Sequence, residues 1–348
     1  MDLYNLGTVS WLDSQLIYHA LPRLGREGLI LLQPEAPYVC IGYHQNAHAE
    51  IDMETLESQN IPLFRREVGG GAVYLNQGQL FYQLVLRADR PDVPKNKGAF
   101  YRKYLAPVIA AFRELGVEAI FKPVNDITVD GRKISGNGAG EIEDHVILVG
   151  NMMLDFDYDM MSQVLRVPDE KFRDKVHKTL YEALTTLKRE LDTVPPLQAL
   201  AEMLAQHFAA LLGPLTERQV DDELRAMAAS LWERFQTEDW LFENDRRKAE
   251  REVKIAEDIL VIERVYKSPG GLIRAYAIQR EGHLHQVHLS GDFFLFPAHS
   301  VTELESYLEG IAADPATIEA AIAAFFDETG ATAPGVSPED LTKALMPE

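Results

Sequence analysis

Two stretches of this chain concentrate residue types that handle a bound anion. The first reads Phe64-Arg65-Arg66-Glu67-Val68-Gly69-Gly70-Gly71-Ala72-Val73-Tyr74-Leu75. Two arginines end an apolar run that begins at Ile61, three consecutive glycines follow, and β-formers then resume. A guanidinium is a fixed, planar cation matched to carboxylate or phosphate. A glycine triplet loses much backbone freedom on folding. That loss is tolerated where a backbone, a cofactor or a substrate must come where a Cβ would collide. The stretch therefore reads as an anion-handling glycine loop; the plain alternative is a bulged hairpin with solvated arginines.

The second stretch runs from Asn125-Asp126-Ile127 through Asp130-Gly131-Arg132-Lys133-Ile134-Ser135-Gly136-Asn137-Gly138-Ala139-Gly140. Asp130-Gly131 between β-forming runs is a hairpin signal. Alternation would place Ile127, Val129, Lys133 and Ser135 on one formal face, but the turn interrupts the count and leaves the facing of Lys133 open. A lysine just past a turn can be a mere solvated strand end. Here two glycine-rich steps follow it at once, and an ammonium is a compact charge for an acyl carboxylate or an α-phosphate. Asn125 and Asp126 could equally form an Asx turn. No GxxxxGK[ST] phosphate loop is present.

Arg-Arg-x-x-Gly-Gly-Gly-Ala-Val followed by Asn-Asp-Ile…Gly-Arg-Lys-Ile-Ser-Gly resembles the lipoate–protein ligase family, relatives of biotin–protein ligases and octanoyl transferases. Ile41-Gly42-Tyr43-His44-Gln45-Asn46 and the strand His145-Val146-Ile147-Leu148 add to the likeness. It covers roughly residues 1–215 and continues more weakly through 220–330, where the family carries a small accessory domain. The resemblance implies an α/β fold of the α+β type: a mixed sheet flanked by helices, a class-II biotin/lipoate ligase-like catalytic domain, and a small C-terminal α/β domain.

It also implies a reaction. Lipoate is activated by ATP and Mg²⁺ to lipoyl adenylate with loss of pyrophosphate, and the acyl group passes to a lysine of an acceptor protein. Lys133 maps onto the lysine that contacts the acyl carbonyl and α-phosphate, where a fixed cation relieves developing charge. Gly69, Gly70 and Gly71 would lie along the lipoyl chain and adenylate, with Ala72, Val73, Tyr74 and Asn76 continuing that wall. Ser135, Gly136, Asn137, Ala139 and His145 complete the expected lipoyl and adenylate contacts. One of Arg65 and Arg66 would meet phosphate and the other would be structural. Asn125 and Asp126 map near metal, α-phosphate or the incoming amine. The chain departs from the family pattern at Tyr74-Leu75-Asn76, where His-Asp follows the aromatic residue, at Tyr43, and in Asn137-Gly138-Ala139-Gly140.

The elements that must position these groups are legible in part. Residues 8–21 have helical spacing with Ser10 as N-cap. Apolar strands are expected at Gly28–Gln33, Pro37–Gly42, 61–66, Gln79–Leu86 and Val146–Leu154, with a helix at Lys97–Leu115 ending at Gly116. Residues 158–213 read as mostly helical, broken at Pro168 and Pro195-Pro196. A later group of strands falls at Val253–Arg264, Ile273–Gln279 and His283–Leu289, followed by helices near 301–311 and 315–328. Four segments are expected: catalytic, 1–220; a helical linker, 221–245; the accessory domain, 246–330; and a loosely held tail, 331–348.

Composition bounds the rest. The 348 residues suit about two domains. A net charge of −20 works against nucleic acid and anionic membranes. No apolar run is long enough to span a bilayer and no signal-like core opens the chain. One cysteine, Cys40, excludes a disulfide framework or a Cys-rich structural metal site. A cytoplasmic monomer is expected. A cysteine-thioester acyltransferase is the rival within the fold, but no cysteine follows residue 40 and Cys40 sits in an apolar strand. A non-catalytic acyl- or protein-binding module is the rival outside it, and the retained lysine and glycines speak against that.

Overall fold

In the computed structural model, which describes residues 1–167, 173–245 and 259–346, the contacts fall into two units. The first comprises Met1–Cys40, Ile51–Phe64 and Val73–Gln236; the second comprises Ile41–Glu50, Arg65–Ala72 and the chain from Thr237 onward. The glycine stretch thus groups with the C-terminal part of the chain. The expected break at Pro168 and the expected strand start at 253–258 lie outside the described residues.

The first unit holds β1 (Asp2–Val9), β2 (Gly28–Pro34), β3 (Tyr38–Ile41), β4 (Leu63–Arg65), β5 (Val73–Leu75), β6 (Gln79–Arg87), β7 (Ile120–Lys122), β8 (Asp126–Val129), β9 (Arg132–Ser135), β10 (Asn137–Ile142), β11 (His145–Met153) and β12 (Thr216–Glu217). Six of them form a mixed sheet in the order β10-β11-β6-β2-β1-β12. β1 is parallel to β2 and β12, whereas β2, β6, β11 and β10 pair antiparallel. Leu29–Leu32 and Leu84–Leu86 are buried throughout. Continuous apolar strands of this kind need cover on both faces. Helix Asp13–Arg23 packs on β2 and β6 with Leu16, Ile17 and Leu21 buried, and helix Leu197–Leu212 packs on β1.

Of two local readings, one differs from the sequence expectation and one holds. The first helix begins at Asp13, because Thr8 and Val9 pair with Gln33 and Pro34 as the end of β1. Ser10 Oγ still accepts the Asp13 N–H at 3.0 Å. The Asp130-Gly131 turn forms as its sequence predicts: both residues have positive φ, 49° and 80°, and Val129 faces Arg132 across β8 and β9.

The second unit contains β13 (Ile259–Ser268), β14 (Gly271–Arg280) and β15 (His283–Gly291), an antiparallel meander packed by helices Ser300–Tyr307 and Pro338–Leu345. Its core includes Ile273, Leu284, Val287, Leu304, Ile322 and Phe325. The stretch after residue 330 is not the loose tail expected. Ser337 and Asp340 form a reciprocal capping box and Pro338 occupies the first turn. Leu341, Ala344 and Leu345 are buried in the unit's core. Each leucine so buried contributes about 2 kcal/mol, which outweighs the scarcity of large apolar residues in this stretch.

Candidate active site

Lys133 and the residues around it lie in the first unit. Lys133 stands on β9 opposite Thr128, and its Nζ lies 2.8 Å from Asp126 Oδ1 with about a third of the side chain exposed. Gly136 explains how the side chain lies: a Cβ there would come within 3.2 Å of Lys133 Cε and 3.4 Å of Nζ. The ammonium therefore rests over bare backbone, beside a carboxylate and open to solvent. The backbone behind it is also tied down. Thr185 N–H donates to Lys133 O at 2.8 Å, and Arg132 pairs with Glu190 at 3.0 Å.

A buried polar network fixes the strand on the far side of Gly136. The Tyr82 hydroxyl, fully buried on β6, shares a hydrogen bond with Ser135 Oγ at 2.9 Å and donates to Asn137 Oδ1. Burial pushes the Tyr82 phenol well above its ordinary pKa, with the Ser135 bond acting the other way, so it stays a donor. Asn137 Nδ2 then donates to Asn125 O at 2.8 Å, and Asn125 Nδ2 returns a bond to Asn137 O. Asn151 Oδ1 accepts the Gly136 N–H at 2.9 Å, and Asn151 Nδ2 reaches Gln79 Oε1 at 2.6 Å. Ser135, Asn125 and Asn137, expected at the ligand, thus turn their polar groups to each other and to Tyr82. They hold the backbone on either side of Lys133.

Three further expectations change. Asn76 Oδ1 accepts the Gly78 N–H at 2.9 Å, so it closes the turn before β6. Ala139 is fully buried opposite Leu148. His145, 2% exposed, begins β11 opposite Arg87, whereas Asn151, which reaches Gly136, lies six residues further along the strand. At about 3.4 Å per residue, His145 is roughly 20 Å from that contact. Tyr74 is buried on β5, and Val73 beside it is exposed.

Arg65, Arg66 and the glycine stretch lie in the second unit. Arg65 is fully buried. Its guanidinium donates to Leu241 O from Nε at 3.1 Å and from Nη2 at 2.7 Å. Nη1 reaches Gly42 O, Tyr43 O and Gln45 O at 3.2, 3.0 and 2.7 Å. Trp240 Nε1 donates to Arg65 O at 2.9 Å, and Asn244 Nδ2 to Tyr43 O at 2.8 Å. Arg65 is therefore an internal clamp between the 42–45 and 241–245 segments. Arg66 instead curls over the loop, where Nη2 donates to Gly69 O and Gly71 O, each at 2.9 Å. Of the two arginines, Arg66 stands at the glycines.

The glycines themselves make close contacts. Gly70 has φ +93°, and a Cβ there would meet Phe294 Cζ at 2.8 Å and Arg66 Nη2 at 3.2 Å. A Cβ at Gly69 would meet Phe294 Cδ1 at 3.0 Å and Phe293 O at 3.1 Å. Gly71 differs: its Cβ would have only ordinary contacts, from 3.4 Å, with Asp292. Much of the space freed by the triplet is occupied by the protein's own aromatic segment. Tyr82, Gln79, Asn151 and Asp292–Phe294 were missed from the sequence. The only local hints were polar residues inside otherwise apolar strands and a Gly-Asp-Phe-Phe run at a strand end.

Among the described residues, no group of three or more His, Cys, Asp or Glu side chains could hold a metal ion. One carboxylate, Asp126, lies at the lysine. That fits a Mg²⁺ held mostly by substrate phosphates, not one caged by protein. No described helix is long and apolar enough to cross a membrane.

A six-stranded mixed sheet flanked by helices, a small β7-β8-β9 sheet that carries Lys133, and a unit built on an antiparallel meander make a class-II biotin/lipoate ligase-like fold. The chain belongs to the lipoyl protein ligase A/B catalytic domain family, whose model matches residues 11–209. Lipoate-protein ligase LplJ of Bacillus subtilis is 27% identical over 284 residues, covering 81% of this chain and 80% of that protein. Lipoate-protein ligase A subunit 1 of Thermoplasma acidophilum is 30% identical over 58% of this chain and 79% of its own length. Octanoyltransferase LipM of Kyrpidia tusciae is 25% identical over 59% of this chain and 83% of that protein. Among solved structures, the bi-partite lipoate protein ligase of Thermoplasma acidophilum, described with its E2 lipoyl domain, superposes with TM-score 0.61 at 26% identity, covering 69% of this chain and 95% of that one. LipL1 of P. falciparum in complex with lipoate shares the fold at 16% identity, with TM-score 0.67 over 94% of both chains.

Proposed function

We propose that this chain is an ATP-dependent lipoate–protein ligase. The lipoate carboxylate attacks the α-phosphorus of ATP and pyrophosphate leaves. The ε-amine of an acceptor lysine then attacks the acyl carbonyl and AMP leaves. The observation that carries this reading is the Lys133 ammonium, laid over Gly136 and open to solvent beside Asp126. Both steps place negative charge on carbonyl and phosphate oxygens, and a pre-positioned cation stabilises both. Asp126 would help to hold a Mg²⁺, which would supply charge neutralisation for the ATP phosphates, and Arg66 with the amides of the glycine loop are proposed as anion-binding groups of the second unit. The acceptor is a lipoyl-domain protein. Relatives called lipoate-protein ligases, and a 25% identical lipoate-protein ligase A solved with ATP, support the assignment. The enzyme is proposed to act in the cytoplasm as a monomer.

The kinship with LipM octanoyltransferases favours a second reading, acyl transfer without ATP. Against it, the single cysteine is buried on β3 with its sulfur turned toward Gln15. One experiment separates the two: incubation with ATP, Mg²⁺, lipoate or octanoate, and a lipoyl-domain acceptor, followed by mass spectrometry and pyrophosphate assay. Lipoate-dependent pyrophosphate release with a lipoylated acceptor is expected. Acceptor acylation from an acyl thioester without ATP, abolished by Cys40→Ser in a folded protein, would replace the ligase reading.

A further inference from the structure

The Gly291–Leu295 segment leaves the meander of the second unit and runs against the glycine loop of the same unit. Asp292 anchors it: its N–H donates to Leu272 O at 3.1 Å, and its Oδ1 accepts the Leu272 N–H. Gly291 N–H donates to His44 O at 3.0 Å, and the His44 ring stacks on Phe293 at 5.0 Å and 8°. Phe293 O receives a long bond, 3.4 Å, from Gly70 N–H. Phe294, 6% exposed, lies where Cβ atoms of Gly69 and Gly70 would be, and its ring stacks on Phe296 at 6.3 Å and 3°. Arg66 also grips the loop, through the Gly69 and Gly71 carbonyls.

A triple glycine left to itself samples many backbone conformations. Here a rigid aromatic ring against Gly69 and Gly70, and a guanidinium on the Gly69 and Gly71 carbonyls, hold the three residues in one of them. We propose that Phe294 is a positioning residue for acyl adenylation: it acts through Gly69 and Gly70, fixing the backbone conformation in which the loop meets the adenylate. The proposal rests on the ligase reading for its chemistry, but not for its structural half. It also gives the C-terminal meander a part in the first chemical step. The ring, on this view, does not touch substrate.

The test uses the full chain with Phe294→Ala and Phe294→Leu, and Phe325→Leu as a control cut in the hydrophobic core of the same unit, where Phe325 packs on Tyr307 and Phe326. Two quantities are measured: amide hydrogen exchange of residues 66–72, and kcat and KM for lipoate-dependent ATP–pyrophosphate exchange. Phe294→Ala should speed exchange in 66–72 several-fold and lower kcat about tenfold or more, with KM values near wild type. Phe294→Leu should recover most of both. Phe325→Leu should lower thermal stability yet leave loop exchange and kcat unchanged. Loop exchange and kcat at wild-type values in Phe294→Ala would overturn the proposal, as would equal loop effects from Phe325→Leu. If Phe294→Ala fails to fold, Phe294→Leu decides by the same two readouts. A wild-type chain that forms no adenylate would sink the ligase reading, while the exchange data would still decide whether Phe294 orders the loop.

Discussion

Lys133 Nζ lies 2.8 Å from Asp126 Oδ1, and the methylene that carries it crosses Gly136 where no Cβ stands. The carboxylate holds the ammonium in place, and under the proposed ligase reading a phosphate would compete for it. Charge and position are thus set by different residues, and they can be separated by mutation.

Lys133→Ala should lower adenylation and transfer about 10²–10³-fold, the scale of losing one pre-positioned charge donor. Lys133→Arg should restore little, because a planar fork cannot replace a point charge over Gly136. Gly136→Ala should fold nearly as well as wild type but lower kcat, since its Cβ would press on Lys133 Cε at 3.2 Å. Steady-state pyrophosphate release, read with thermal melts, checks all three. Full adenylation by a folded Lys133→Ala would remove Lys133 from the chemistry.

The two arginines should part company. Arg65→Lys would leave carbonyls of Leu241, Gly42, Tyr43 and Gln45 short of donors in a fully buried setting. It should cost about 2–4 kcal/mol in denaturant unfolding. Arg66→Ala should unfold near the wild-type midpoint and lose activity. A stable, active Arg65→Lys would contradict the clamp.

The glycine triplet is not uniform. Gly70→Ala faces both a positive φ and the Phe294 ring, and should lose about 1–2 kcal/mol or more. Gly71→Ala meets only ordinary contacts and should fold normally. If ligand lies along the loop, Gly71→Ala should still raise KM for lipoate or ATP. Unchanged kinetics in Gly71→Ala would confine the triplet to internal packing.

His145 offers a pH test away from the chemistry. Burial, its largest influence, holds the imidazole below its ordinary pKa of 6.5; Glu27 opposes this and Arg87 adds to it. Its buried ring nitrogens have no hydrogen-bond partner. As pH falls below about 6.5 the unfolded chain takes up a proton that the folded chain resists. Stability contributed by the neutral ring should therefore decline with acidification until the lower folded value is passed. His145→Leu should flatten that acid limb of the unfolding free energy. An identical limb in the variant would show that other groups set it.

Part of the local arrangement around Lys133 was legible in the sequence because it depends on residue type and a short turn. Lys133, Asp126 and the Asp130-Gly131 turn that sets them close are local features, and a two-residue turn with positive φ fixes its own strand register. Asn125, Asn137 and Asn76 were assigned to ligand because amides look alike in a sequence whether they face substrate or each other. Tyr82 was invisible for the converse reason, since a tyrosine in an apolar strand reads as core until a buried partner for its hydroxyl is found. The C-terminal helix was overlooked because its few apolar residues are sufficient only when a formed core receives them.

The sequence by itself determined the family and the mixed-sheet fold, and it singled out the two stretches proposed to handle anions, because glycine runs, fixed cations and apolar periodicity act over short range. Only the tertiary structure decided what each glycine is bare for. Gly136 is open to Lys133, Gly69 and Gly70 to Phe294, and Gly71 has only ordinary neighbours. It also divided Arg65 from Arg66, two adjacent residues of one type, by burying one among distant carbonyls and leaving the other on the loop. Such distinctions arise from contacts between residues far apart in the chain, which no local pattern encodes.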